Sequence, residues 1–141
     1  MAIYFSSENT NFDLKAKLKV KKWISNTIKS QGKKVGDISY IFCDDDYLID
    51  INREYLNHDT YTDIITFDYV EDEIVSGDIF ISVERVEENA KLFATTFDQE
   101  LHRVIIHGIH HLLGQHDKTD ADAAVMRNKE DVSLAEWNSM N

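Results

Sequence analysis

Apolar and polar residues follow two kinds of spacing along this chain. Short runs rich in β-branched and aromatic residues predict strands. There are four such runs: Ile3–Ser6, Ile38–Cys43, Asp63–Tyr69 and Gly77–Ser82. The first is short, and we expect it at an edge of the sheet.

Apolar residues three and four positions apart predict five helices. The first covers Leu14–Gln31, and the second is capped by Asp44–Asp46 and runs to about Leu56. The third is the stretch VERVEENAKLF, capped by Ser82. The fourth is a long helix from about Asp98 to Gly114, and the fifth covers Ala121–Trp137. For the first helix, Asn11 or Asp13 is the predicted N-cap and Gly32 the predicted stop.

The predicted order is β-α-β-α-β-β-α-α-α. It favours an α+β fold with one small mixed sheet of about four strands covered by about five helices. The chain has 141 residues, 43% of them hydrophobic, and no recognisable linker. We therefore expect residues 1–141 to form a single domain.

Neither a signal peptide nor an apolar run long enough to span a bilayer is recognisable in the sequence. The single cysteine, Cys43, lies in an apolar run and is expected to be a buried thiol in a reducing compartment. These features predict a cytoplasmic protein without a membrane partner.

The net charge of -11 disfavours a general nucleic-acid binder held by charge alone. The segment Lys15–Lys34, however, contains eight lysines and no acidic residue. It is interpreted as a solvated helix face or as a docking patch for RNA or an acidic protein.

The segment His107–Asp117, HGIHHLLGQHD, carries the most informative chemistry. On a helix, His107 and His111 lie one turn apart on one face, with their side-chain bases about 5–6 Å from each other. At that distance both imidazoles can bind one metal ion. Gly114 can end the helix and turn the chain back. A third ligand after that turn can reach the same ion: Asp117 is favoured by its offset, and His116 is the rival.

This H-x-x-x-H-x-x-G-x-x-D spacing is that of the metzincin zinc site, with Asp as third ligand. Three protein ligands leave a position open for water, as in catalytic zinc sites. Two imidazoles and a carboxylate also suit nickel, cobalt or iron. Gly108 replaces the glutamate that is the general base of those peptidases, which disfavours a peptidase. His110 is assigned a packing role, and His102 is expected at the surface.

The same segment resembles the H-G-x-L-H-L-x-G-Y-D-H signature of the YbeY endoribonuclease family of bacterial rRNA maturation factors. A second block, Ile51–Phe67 (INREYLNHDTYTDIITF), resembles that family's L-N-x-x-Y-R-x-K-D-x-x-T-D-V-L-S-F segment. The similarity continues through GDIFIS and the helix after it. Together the resemblance covers nearly the whole chain.

The resemblance implies an α+β fold, a zinc site and hydrolysis of single-stranded RNA. It further implies roles in 16S rRNA 3′-end maturation and small-subunit assembly, with assembly factors as partners. It makes His107 and His111 metal ligands and puts Asp117 where the family has a third histidine. Leu56 stands in place of a cleft-lining arginine, Tyr61 in place of a proline, and His110 in place of a leucine.

Two of these differences lower the positive charge of the centre. An anionic Asp ligand and the loss of an arginine weaken the activation of water and of a phosphate. Arg103, one turn before His107, is one candidate catalytic residue that could compensate, and His58 and Arg53 are others. Asp63 and Thr66 match the second block and are candidates for shaping the cleft.

The leading hypothesis is a metal-assisted phosphodiesterase acting on single-stranded RNA. No general base is identifiable, and attack by water or by the RNA 2′-hydroxyl remains open. Two further hypotheses are a non-catalytic ribosome assembly factor with a structural or vestigial metal site, and, well behind, a metallopeptidase.

Overall fold

A mixed four-stranded sheet forms the centre of the protein, which we describe from a computed structural model covering residues 2–141. The strands are β1 (Ile3–Glu8), β2 (Lys34–Cys43), β3 (Ile64–Asp68) and β4 (Ile74–Ser82), in the spatial order β1-β2-β4-β3. The β1–β2 and β2–β4 pairs are parallel, and β3 pairs antiparallel with β4. As predicted, β1 lies at an edge.

Five helices surround this sheet: α1 (Lys17–Ser30), α2 (Asp45–Leu56), α3 (Val83–Leu92), α4 (Phe97–Leu112) and α5 (Asp120–Ser139). One large core joins the sheet to α1, α3, α4 and α5, and it contains Trp23, Tyr40, Ile79 and Ile105, all fully buried. A smaller cluster beneath α2 contains Cys43, Leu48 and Ile65. The predicted α+β class and the predicted order of elements are confirmed.

The start of α1 differs from the prediction. The helix begins at Lys17 rather than at Leu14, and its N-cap is Ala16, which has a positive φ of 56° and makes no side-chain cap. Leu14 is buried within the core while still outside the helix. The Asp13 carboxylate pairs with the Lys17 ammonium at 2.5 Å and caps no backbone group. Core packing of Leu14 therefore prevails over the local capping signal.

Lysines of the segment Lys15–Lys34 lie mainly on the solvent side of α1 and of the turn that follows it. Two of them contact aromatic rings: the Lys19 Nζ lies 4.0 Å from the Trp137 ring centre, and the Lys21 Nζ lies 6.0 Å from that of Phe5. Cys43 is buried as expected, and burial raises the pKa of its thiol to about 12. No helix within residues 2–141 is both long and apolar enough to cross a membrane.

Two histidines of α4 pack against other elements. His102, expected at the surface, is half-buried, with its ring centre 4.2 Å from that of Trp137. His110 is buried, and its Nε2 lies 2.9 Å from the Ser133 Oγ of α5. Both rings face α5, so the expectation for His102 was wrong, because α5 covers a stripe of α4 that local sequence does not mark as buried.

His110 gives the metal-free protein a specific dependence on pH. Burial lowers the pKa of His110 from 6.5 to about 4, with a further lowering by the Lys129 charge. Between these values the unfolded chain binds more protons than the folded one, so stability is lost as the pH falls.

In urea titrations with EDTA, we expect His110 to account for about 2 kcal/mol of lost unfolding free energy between pH 7.5 and pH 5. The variant His110→Leu should lose correspondingly less over the same interval. Equal losses in both proteins would show that His110 titrates normally in the folded state.

Candidate metal centre

Two imidazoles lie next to each other near the C-terminal end of α4, with their ring planes nearly perpendicular. His107 and His111 are one helical turn apart, and their ring centres lie 4.5 Å from each other. Their side chains are 20% and 28% exposed, so both remain accessible from one side. The helix thus presents two nitrogen donors at a partly open edge.

The turn after α4 brings a carboxylate to these rings. Gly114 has a φ of +95°, and its N–H donates to the His111 carbonyl while the Gln115 N–H donates to that of His110. This pair of hydrogen bonds is the Schellman motif, which reverses the chain and favours glycine at the left-handed position. Asp117 is thereby placed beside both histidines.

The distances suit a small metal ion. The Asp117 Oδ2 lies 3.3 Å from the Nε2 of His107 and 3.3 Å from that of His111, and the three donor atoms all lie within 4.8 Å of one another. Zinc–ligand bonds of about 2.0–2.1 Å in a tetrahedron separate ligand atoms by about 3.3 Å. Two imidazoles and one carboxylate therefore fit the donor set and the spacing of such an ion.

His116, the rival third ligand, is exposed and lies outside this group. Its backbone carbonyl accepts a hydrogen bond from the Gln115 side chain. The structure thus brings together His107, His111 and Asp117, and it leaves His116 on the solvent side of the turn.

A buried carboxylate holds one of the two rings from behind. The Oε2 of Glu130, on α5, lies 2.6 Å from the Nδ1 of His107, and Glu130 itself is only 5% exposed. We assign the Nδ1–H as donor, which leaves the Nε2 lone pair pointing at Asp117. A metal-ligating histidine generally has such a partner, which fixes its tautomer and orientation.

Arg103 completes this network one turn earlier on α4. Its guanidinium donates to the Glu130 Oε1 at 2.8 Å and to the Asp131 Oδ1 at 2.7 Å. Arg103, predicted as a candidate catalytic residue, is thus linked to His107 through Glu130. Two terminal nitrogens of its guanidinium are already engaged within the protein.

The pKa values of the two imidazoles shift in opposite directions. Burial lowers the pKa of His107, but the Glu130 hydrogen bond and the nearby carboxylates outweigh it, so the net pKa is raised. For His111, burial and the neighbouring His107 charge lower the pKa. The Glu130 pKa is lowered, because hydrogen bonds from His107 and Arg103 outweigh its burial.

Asp63 supplies another carboxylate near the centre. It directly precedes β3, accepts a hydrogen bond of 3.4 Å from the Asn89 side chain, and its charge acts on His107. Burial raises the pKa of Asp63, so its carboxylate is more basic than an exposed one. Asp63 is therefore a candidate proton acceptor whose charge acts on one of the two imidazoles.

Gly108 explains why the peptidase glutamate has no place here. A Cβ at this position would lie 3.0 Å from the Ile79 Cδ1 and 3.2 Å from the Ile64 Cδ1. The position faces the sheet rather than the open side of the histidines. A glutamate there would be forced into the core, which costs far more than the site could recover.

The residues near Leu56, which stands where the family resemblance implies an arginine, lie apart from the three candidate metal ligands. His58 and Leu56 are exposed at the end of α2 and just after it, and Arg53 pairs with Asp50 and Asp59. Within residues 2–141, no hydrogen bond or ion pair joins His58 or Arg53 to the three candidate ligands. A catalytic role for His58 stays a prediction.

An α+β fold with an open group of two helix histidines and an aspartate from the turn after that helix is an arrangement typical of metal-dependent hydrolases. The profile of the family described as Endoribonuclease YbeY matches residues 3–138. The chain belongs to the YbeY family, and the resemblance found in the sequence is thereby confirmed.

Individual relatives agree with this assignment. The Endoribonuclease YbeY of Flavobacterium johnsoniae is 56% identical over 89% of this chain and 91% of its own length. That of Christiangramia forsetii is 53% identical over 94% and 92%. The solution structure of TM1509 from Thermotoga maritima superposes with a TM-score of 0.66 at 28% identity, covering 97% of this chain and 92% of that chain.

Glu130 is the residue that sequence reasoning missed. It lies 23 positions after His107, and no local motif connects the two. One signal was present: Met126, Glu130 and Ser133 share the buried stripe of α5. An acidic residue on a buried stripe generally has a charged or hydrogen-bonding partner.

If Glu130 orients His107, the variant Glu130→Gln should bind Zn²⁺ about 10- to 100-fold more weakly, because an amide supports the imidazole less well than a carboxylate. Competition with a chromophoric chelator at pH 7.5 measures this affinity. Glu136→Gln, an exposed change on the same helix, is the matched control. Equal affinities in all three proteins would exclude the orienting role.

The third ligand is tested by metal stoichiometry. Elemental analysis after zinc loading should give about one ion per chain for wild type and for His116→Ala, and a value near zero for Asp117→Ala. The opposite pattern would assign the ligand to His116.

Proposed function

We propose that this protein is a zinc-dependent endoribonuclease that cleaves single-stranded RNA, in the maturation of the 16S rRNA 3′ end and the assembly of the small ribosomal subunit. The observation that carries the proposal is the convergence of His107, His111 and Asp117 in a chain of the YbeY family. We treat residues 1–141 as one functional domain. Its lone cysteine, a buried thiol, suits the reducing cytoplasm in which we propose that it acts.

In this proposal His107 and His111 hold the ion through their Nε2 atoms, and Asp117 holds it through a carboxylate oxygen. Zinc bound there would polarise a scissile phosphate and lower the pKa of water. Nickel, cobalt or iron would also suit the donors. One negative charge within the ligand set makes the centre less positive than a three-histidine site.

In this proposal the protein's own side chains orient the metal ligands and accept the proton of the attacking oxygen. Glu130 accepts the Nδ1–H and so fixes the tautomer in which the His107 Nε2 can bind the ion, and Arg103 keeps Glu130 ionised and in place. We assign Arg103 this positioning role rather than contact with the substrate. Asp63, whose pKa burial raises, is the carboxylate that we assign to accept a proton from the attacking oxygen.

A second candidate function is a non-catalytic assembly factor. Leu56 is exposed where the family resemblance implies an arginine, and the exposed lysines of α1 offer a surface for docking on RNA. In that case the metal-binding group would be structural. This candidate predicts that ribosome maturation is independent of the metal ligands.

The two candidates are separated by cleavage of a single-stranded RNA carrying the unprocessed 16S 3′ end. We expect His111→Ala to lower kcat/KM at least 100-fold, because one of three metal ligands is lost. EDTA should abolish wild-type cleavage, and returning Zn²⁺ should restore it. His116→Ala, an exposed histidine of the same turn, should cleave as wild type does.

The result against the nuclease would be wild-type cleavage by His111→Ala after repurification. Restored 16S maturation by His111→Ala in a deletion strain would favour the assembly factor instead.

A further inference from the structure

A cavity of about 810 Å³ lies between the segment before α1, the α3–α4 turn, the first turns of α4 and the end of α5. Its walls are rich in aromatic side chains: Phe12, Phe93, Phe97 and Trp137. Phe12 and Phe97 are packed edge to face, with ring centres 5.9 Å apart. Flat apolar walls of this kind suit a planar aromatic ligand.

Glu100 puts a carboxyl group into the lining of this cavity. The residue is only 6% exposed, yet none of residues 2–141 donates a hydrogen bond to its side chain or pairs with it as a salt bridge. Its oxygens still reach the cavity, because they are not among the enclosed, unpartnered atoms of the described residues, and desolvation raises the pKa of the carboxyl. A ligand carrying adjacent N–H donors would supply the hydrogen bonds that the described residues do not.

Charges of both signs lie around this cavity. Lys15 and Arg127 line it, and the Lys19 ammonium lies over the ring of Trp137, while Asp13 and Asp98 line it as well. Lys15 and Arg127 can pair with a phosphate, and the Glu100 carboxylate can accept from N–H donors. A nucleotide carries both groups, with the N–H donors at its planar end.

The cavity shares one wall with the metal centre. Arg103 lines it and also bonds the Glu130 that holds His107. Glu100 and His107 are seven residues apart on α4, which is about 10 Å along a helix. One RNA strand can therefore reach both positions.

We propose that this cavity is a base subsite that takes a guanine of the RNA strand, with Glu100 reading its Watson–Crick edge. Guanine presents N1–H and N2–H₂ side by side, and a carboxylate accepts from both. Adenine places an acceptor at N1, and cytosine and uracil place an acceptor beside their single donor. Aromatic walls then stack the base, as in other proteins that bind single strands.

The subsite rests on the proposed RNA-directed function, but its test needs no catalysis. Metal-free protein is titrated with nucleoside monophosphates, and binding is followed by NMR at the Trp137 indole resonance. We expect GMP to bind at least tenfold more tightly than AMP, CMP or UMP. IMP, which lacks the N2 amine, should fall at least fivefold below GMP because one hydrogen bond to the carboxylate is lost.

Variants distinguish the hydrogen bonds between Glu100 and the base from the stacking of the base on the aromatic walls. Glu100→Gln should weaken GMP at least tenfold and abolish the preference for guanine. Glu88→Gln, a change at an exposed residue of α3, should bind GMP as wild type does. Phe93→Ala, at a half-exposed wall residue, should weaken all four nucleotides to a similar degree and keep their order.

Equal binding of the four nucleotides to wild type, or unchanged GMP binding by a folded Glu100→Gln, would overturn the subsite. Metal-dependent RNA cleavage is measured separately on the same proteins. Cleavage without guanine preference refutes the subsite alone, and guanine binding without cleavage supports the subsite while refuting the nuclease.

Discussion

The close packing of α4 on the sheet is the constraint on which the other features depend. Gly108 lets the helix approach Ile64 and Ile79 so closely that even one additional methyl group would crowd them. With that face against the sheet, the 100° step between successive residues decides where every other side chain points. His107 and His111 reach the open edge, while His110 and His102 turn toward α5. The metal-binding pair and the helix packing are thus two results of one orientation.

Helix α5 supplies the carboxylate that supports His107 of α4. The buried charges of Glu130 and Arg103 compensate each other across the helix interface, and the remaining Glu130 oxygen holds His107. Breaking such a pair by removing one partner is costly, since it leaves an uncompensated buried charge. Glu100 differs, because its carboxyl lies three residues from Arg103 on the same helix and accepts no hydrogen bond from residues 2–141. Glu130 thus stabilises the helix pair, and Glu100 is the group that we propose binds a ligand.

The charge distribution also shapes what the centre can do. An aspartate in the candidate ligand set and an exposed Leu56 make it less positive, whereas Lys15 and Arg127 place cations outside the centre, at the adjacent cavity. A protein with a net charge of -11 must attract RNA locally rather than through its whole surface.

Local periodicity was enough to predict the order of the nine elements found within residues 2–141 and the mixed sheet, because neighbouring residues alone decide which faces are apolar. The same holds for the His107–His111 pair and the Gly114 turn, whose geometry is internal to eleven residues. The family was predicted from the resemblance of two sequence blocks. Sequence did not predict the later start of α1, the burial of His102 or the Glu130 support. Each of these depends on contacts between segments far apart in the chain, and only the packing of α4 against α5 and the sheet decided which polar side chains would meet.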